Sequence, residues 1–190
     1  MAFILIKGRF KPTAGIPDGD SVRFQVEISG LWKKLQGRPA KLGTSPKTKN
    51  TMQLRFEGID AIEKKAVKPL STQAIDNMFK LIGFDQARNP QPRGYILARM
   101  TDDKSGRPIC FMFAGTINKK AGSEVFLDMP TLRKSVNFKQ IEARFAYSLY
   151  YNTLFANLRG EFTRVHAAAE KNEWGTGVEK KLTVTKRYKE

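Results

Sequence analysis

One stretch constrains this chain more than any other, because its pattern changes halfway along. Met52, Leu54 and Phe56 alternate with Gln53, Arg55 and Glu57, the two-residue period of a half-buried strand that carries its polar side chains on one face. Arg55 and Glu57 are therefore expected to look away from the core. Gly58 lets the chain turn, and Asp60 and Glu63 follow directly, so an arginine and two carboxylates gather where the strand ends. By itself the segment fits either a strand closing in a solvated turn, since charged turn residues are ordinary, or a site that grips an anion beside a metal ion.

The charge balance bears on that choice. Lys and Arg number 34 against 18 Asp and Glu, a formal net charge of +16 over 190 residues, which points to a polyanionic partner. Nucleic acid leads and an anionic membrane surface follows. The opening apolar run before Lys7 is too short for a signal-peptide core or a membrane span, and it reads as a strand of a cytoplasmic protein. Cys110 is the single cysteine, so no internal disulfide exists, and its apolar neighbours mark it as a buried small hydrophobe. His166 is the single histidine and sits among helix-patterned residues, which leaves zinc chemistry and a Ser/His/Asp triad without support.

Residues 3–10 read as a first strand, and 11–17 as an irregular connection into Asp18-Gly19-Asp20. Val22, Phe24, Val26 and Ile28 then alternate with polar residues as a second strand. Residues 31–50 hold Lys33, Lys34, Arg38, Lys41, Lys47 and Lys49 with no acid, plus two prolines and glycines, and are expected to form a mobile basic loop. A helix is expected over 71–83, with Ser71 as N-cap and Gly83 as stop. Two further strands are expected at 95–100 and 107–114 around the turn at Gly106, the last buried on both faces. Ile141, Phe145 and Leu149, then Phe155 to Ala169, recur at helical spacing and predict two helices broken near 151–153. The order suits an α+β or mainly β chain: a closed five-stranded oligonucleotide-binding barrel with one inserted helix and C-terminal helices. A split α+β sheet also fits. No repeat or second domain is visible, so residues 1–174 read as one domain and 175–190 as a basic tail.

Separated segments thus supply Asp20, Arg55, Asp60, Glu63 and Arg107. Two aspartates held close invite a hard cation, and all-oxygen ligands select calcium, magnesium or manganese over zinc. Two arginines fork onto phosphodiester oxygens, and a further carboxylate, Glu63, suits the removal of a proton from water. These are the parts that metal-assisted phosphodiester hydrolysis needs.

Here the sequence resembles the staphylococcal nuclease (thermonuclease) family. Asp18-Gly19-Asp20-Ser21-Val22 is similar to its Asp-Gly-Asp-Thr-Val, Arg55 with Gly58-Ile59-Asp60-Ala61 and Glu63 to its Arg and Gly-Ile-Asp-Ala-Pro-Glu block, and Asp103-Lys104-Ser105-Gly106-Arg107 to its Asp-Lys-Tyr-Gly-Arg turn. Residues 132–137 and Trp174 are a weaker match. The resemblance implies that Asp20, Asp60 and the Ala61 carbonyl hold Ca²⁺, that Arg55 and Arg107 bind the scissile phosphate of DNA or RNA, and that Glu63 is the general base. It places Tyr147, Tyr150 and Tyr151 near base-stacking positions, where core packing is the other reading. Ile62 stands where the family has proline, which leaves φ unfixed before Glu63, and residues 31–50 lengthen a connection the family keeps short. The six basic residues of that loop are candidate phosphate contacts. An active nuclease is one expectation and a catalytically silent nucleic-acid-binding module of the same fold another. A basic structural or membrane-surface protein is the third, and it has no use for carboxylates clustered at strand ends.

Overall fold

The computed structural model describes residues 2–61, 68–150 and 154–171. Its centre is β1 (Phe3–Phe10), which pairs antiparallel with β2 (Arg23–Val26) on one side and β6 (Arg93–Thr101) on the other. Gly8 and Gly94 lie opposite each other in this ladder. A Cβ on Gly8 would stand 2.6 Å from the Phe24 ring and one on Gly94 2.2 Å from the Phe10 ring. The two glycines thus make room for the edge-to-face pair of Phe10 and Phe24, with centroids 5.2 Å apart, at the heart of the core.

β3 (Thr51–Gln53) pairs with β2, and β4 (Arg55–Phe56) pairs in parallel with β7 (Pro108–Ala114), giving a mixed sheet in the order β3-β2-β1-β6-β7-β4. The first and last strands of that path are one stretch of chain, separated only by Leu54. The short β8 (Glu124–Val125) adds to β1. A second, two-stranded sheet joins β5 (Ile59–Ala61) to β9 (Ala146–Ser148). With the helices packed against the sheet, the fold class is α+β, and Pro108 to Phe113 of β7 are buried as the sequence implies.

Helix α1 (Lys68–Ile82) buries Leu70, Ala74, Met78 and Ile82 at four-residue spacing and stops at Gly83, whose φ is +73°. Ser71 is not its cap. It lies inside the helix and is 3% exposed. Asp128 caps α2 (Met129–Leu132), and Ser135 caps α3 (Val136–Glu142) by accepting from the Phe138 amide. Arg144, with φ at +66°, then turns the chain out of the helix, so 145–149 runs into β9 rather than continuing α3 as the apolar spacing suggests. The last helix, α4 (Ala156–Lys171), buries Leu158, Phe162 and Val165.

Residues 35–50 form no named helix or strand, in keeping with the loop expected over 31–50, but the start of the segment is anchored. A 3₁₀ helix, Ser29–Lys34, buries Leu31 and Trp32, which are 7% and 5% exposed, each contributing roughly 1.5–3 kcal/mol of burial. The chain then straps across β6, where the Gln36 amide donates to the Arg99 carbonyl and the Thr101 amide to the Gln36 carbonyl. Composition marked the basic residues and overlooked the two apolar anchors ahead of them.

Candidate active site

The turn before β2 is closed by Asp18 and Ser21, whose amides and carbonyls exchange hydrogen bonds of 3.0 and 3.2 Å. Gly19 sits at its tip with Ala61 and Ala74 so near that a Cβ would stand 2.7 and 2.9 Å from theirs. Gln140 of α3 secures the turn, its Nε2 donating to the carbonyls of Gly19 at 2.7 Å and Ala74 at 2.9 Å. The Asp20 carbonyl in turn accepts from the Phe56 amide at 3.1 Å, which sets Asp20 beside the strand that carries Arg55.

Arg55 is opposite Ile109 in the parallel β4–β7 ladder, and Arg107 lies on the same side of β7, just ahead of it. Asp102 organises the turn into β7: its carboxylate accepts from the Ser105 amide at 2.5 Å and hydroxyl at 2.6 Å, and from Arg107 Nε at 3.1 Å. Ser105 Oγ also accepts from Arg107 Nε at 2.8 Å. The guanidinium is thereby oriented through its Nε. The strap braces this turn from outside, with Arg38 Nη1 donating to the Lys104 carbonyl at 2.7 Å, and Gly106 so close under Pro39 that a Cβ would stand 2.7 Å from its carbonyl oxygen.

These segments enclose a cavity of about 190 Å³ lined by Asp18, Asp20, Ser21, Arg55, Asp60, Ala61 and Arg107. That is the space of roughly six waters. Four of the five side chains singled out in the sequence, Asp20, Arg55, Asp60 and Arg107, thus meet, and the Ala61 backbone meets them. The fifth, Glu63, and the Ile62 that precedes it lie outside the described residues, as do Tyr151 and Trp174.

Burial, and then the charges of Asp60 and Asp18, push the Asp20 carboxyl up to about 6, against the smaller opposing effects of the Ala61 amide and Arg55. A cation among these oxygens would relieve the repulsion, so the donor set fits a hard divalent ion. Among the described residues no three His, Cys, Asp or Glu side chains form a ready metal cluster.

Glu57 is the surprise. Its alternation with Phe56 predicted an outward side chain, yet it is 5% exposed, and burial pushes its carboxyl up to about 7 against the pull of Arg99 and Arg55. Asn137 of α3 ties down the backbone here: its Nδ2 donates to the Glu57 and Cys110 carbonyls at 2.9 and 3.0 Å, and its Oδ1 accepts from the Met112 amide. The helix is thereby pinned to the backbone where β4 ends. Gln140 and Asp102 carried no motif signal of their own, and Asn137 only closed the weaker match at 132–137.

Of the candidate substrate contacts, Lys33, Lys34, Arg38, Lys41, Lys47 and Lys49 are exposed, Lys34 and Arg38 being tied to backbone carbonyls. Tyr147 stands opposite Asp60 in the β5–β9 ladder with its ring edge-on to His166. Tyr150 packs on Phe162 and shares a hydrogen bond with Thr163. His166 Nδ1 lies 2.7 Å from Ser148 Oγ and ties α4 to β9. No helix among the described residues is long and apolar enough to cross a membrane. No protein-family model matches this chain, and no curated protein matches it either.

Proposed function

We propose that this protein is a cation-dependent phosphodiesterase of the staphylococcal nuclease type, which cuts DNA or RNA in the cytoplasm with low sequence specificity. The observation that carries the reading is the meeting of Asp20, Arg55, Asp60 and Arg107, from separate parts of the chain, around one polar cavity. The strand order supports a closed oligonucleotide-binding barrel of β1, β2, the β3–β4 stretch, β6 and β7, with α1 inserted ahead of β6. Leu54 would close that ring.

In this reading Arg55 and Arg107 fork onto the non-bridging oxygens of one phosphodiester and neutralise charge that grows as phosphorus becomes five-coordinate. Asp102 and Ser105 hold Arg107 by its Nε for that task. Asp20, Asp60 and the Ala61 carbonyl would hold Ca²⁺, with Mg²⁺ or Mn²⁺ as alternatives, and the ion would supply Lewis-acid stabilisation of the phosphate. Glu63 is assigned the general base, taking a proton from water as the water oxygen bonds to phosphorus and a P–O ester bond breaks.

A catalytically silent nucleic-acid-binding module of the same fold is the second reading, which the net charge of +16 would serve as well. Incubation with single-stranded DNA, duplex DNA and RNA, each with Ca²⁺, Mg²⁺, Mn²⁺ or chelator, separates the two. Cleavage that needs a cation, with binding that survives chelation, is the expected result. Undiminished cleavage in chelator overturns the role of Asp20 and Asp60, and binding without cleavage under every cation selects the silent module.

A further inference from the structure

One face of β1 changes character along its length. Phe3, Leu5, Lys7 and Arg9 alternate onto that face. At the Phe3 end it is covered: Phe3 meets Phe111 and Phe155 edge-on, and Phe111 stacks against Phe162 of α4. At the other end the register sets Arg9 opposite Arg93 of β6 and Gln25 of β2, and Lys11 beside Arg23, whose carbonyl accepts its amide. Arg93 is exposed and Arg9, Lys11 and Arg23 are half-buried.

Like charges directly opposite in an antiparallel pair repel, and a carboxylate between them is the ordinary remedy. Among the described residues none of these four cations pairs with one. The neutral Gln91 stands there instead. Its backbone carbonyl accepts from Arg9 Nη1 at 3.1 Å and its side-chain oxygen from Lys11 Nζ at 2.6 Å, so both cations are fixed side by side and neither charge is cancelled. Burial and the charge of Arg9 lower the Lys11 pKa accordingly. Glu27, next to Lys7, is an acid at the margin of the face.

The face also adjoins the cavity. Gln53, opposite Arg23, donates to Ser21 Oγ at 3.1 Å, and Ser21 lines the cavity with Asp20 and Arg55. From Gln53 on β3 the path crosses β2 and β1 to β6, about 4.8 Å per strand and roughly 14 Å in all. A flexible chain can follow the twist of such a surface, whereas the phosphates of a duplex lie on a stiff cylinder.

We propose that this face is a second binding site, a track that holds the sugar-phosphate backbone of a single nucleic-acid strand leaving the cavity, with Arg23, Lys11, Arg9 and Arg93 against its phosphates. The contacts position the strand without reading bases. The inference rests on the nucleic-acid reading of the cavity for the strand's direction.

The test is an Arg9→Gln, Arg93→Gln double variant, checked by circular dichroism, with labelled single-stranded DNA and RNA oligomers of about 4 and 16 nucleotides bound in chelator. For the longer oligomers the logarithmic salt slope should fall by about 1.4, two phosphates' worth, and affinity at low salt by tenfold or more. Affinity for the short oligomers, and any cation-dependent cleavage of them, should stay unchanged. An unaltered slope for the long oligomers overturns the track, even if the protein cleaves them. A reduced slope in a protein that cleaves nothing keeps the track and discards the nuclease. Loss of binding to phosphatidylserine vesicles with no change for oligomers would assign the face to a membrane surface and overturn the proposal.

Discussion

Two turns border the cavity, and each presents an aspartate near an arginine, yet their carboxylates are pushed in opposite directions. Asp102 takes hydrogen bonds from Ser105 and Arg107 and is held at about 2, despite some burial. Asp20 receives one backbone hydrogen bond and faces Asp60 and Asp18, and is pushed up to about 6. The first carboxylate has its partners within the chain and serves to aim Arg107. The second is half-buried beside two other carboxylates, a repulsion that the proposed cation would relieve.

The sharpest way to break this contrast is to alter the arginines while keeping their charge. Arg55→Lys and Arg107→Lys should each lower kcat by about a hundredfold or more with folding intact, because an ammonium lacks the planar fork and, at Arg107, the Nε that Asp102 holds. Near-full turnover in either variant would show that charge alone suffices and that the Asp102 turn aims nothing.

Next in size is the dependence of stability on pH in chelator. Asp20 and Glu57 have folded pKa values above the ordinary carboxylate range, so the folded state holds their protons longer, and stability falls as pH rises from about 4 through 6 and on towards 7. Asp102 works in the other direction: its contribution is present above about pH 4 and is lost as pH falls towards 2. Asp20→Asn should therefore flatten the loss between pH 4 and 6, on the order of 2 kcal/mol, and should abolish the rise in Tm that Ca²⁺ gives at pH 7. Thermal melts across pH, with and without Ca²⁺, measure both. A Ca²⁺ shift that survives in Asp20→Asn would place the ion elsewhere.

The smallest effect is expected for Asp102→Asn. The amide keeps an acceptor for Ser105 but weakens the hold on Arg107 Nε, so kcat should fall about tenfold with KM little changed. A change in KM alone would make the turn a substrate contact rather than an aiming device.

What the sequence made legible follows the reach of each signal. Asp20, Arg55, Asp60 and Arg107 were readable because each sits where a strand begins or ends at a glycine-bearing turn, a local pattern. Glu57 was misread because the strand ends at Phe56 and Glu57 opens the turn, where alternation no longer tells which way a side chain points. Distance along the chain hid Asn137 and Gln140, ordinary amides until α3 packs them against carbonyls 27 to 121 residues away in the sequence. For 145–149 helical spacing was a misleading pattern: after Arg144 has turned the chain, Ala146 is buried in β9 while Leu149 is exposed. In the strap, charge drew the reading to the lysines, although Leu31 and Trp32 decide where it lies.

The joint at Leu54 has a further bearing on how this protein opens. An ordinary sheet ends in strands whose free amides and carbonyls can fray or accept a strand from another molecule. Here the strand paired with β2 and the strand paired with β7 are continuous through one buried residue, so pulling either pairing loads the other. Loss of the Asp20 side and loss of the Arg107 side become a single event. Amide hydrogens along 51–56 and 108–111 should then exchange together, at the rate of global unfolding rather than in steps from an outer strand inward.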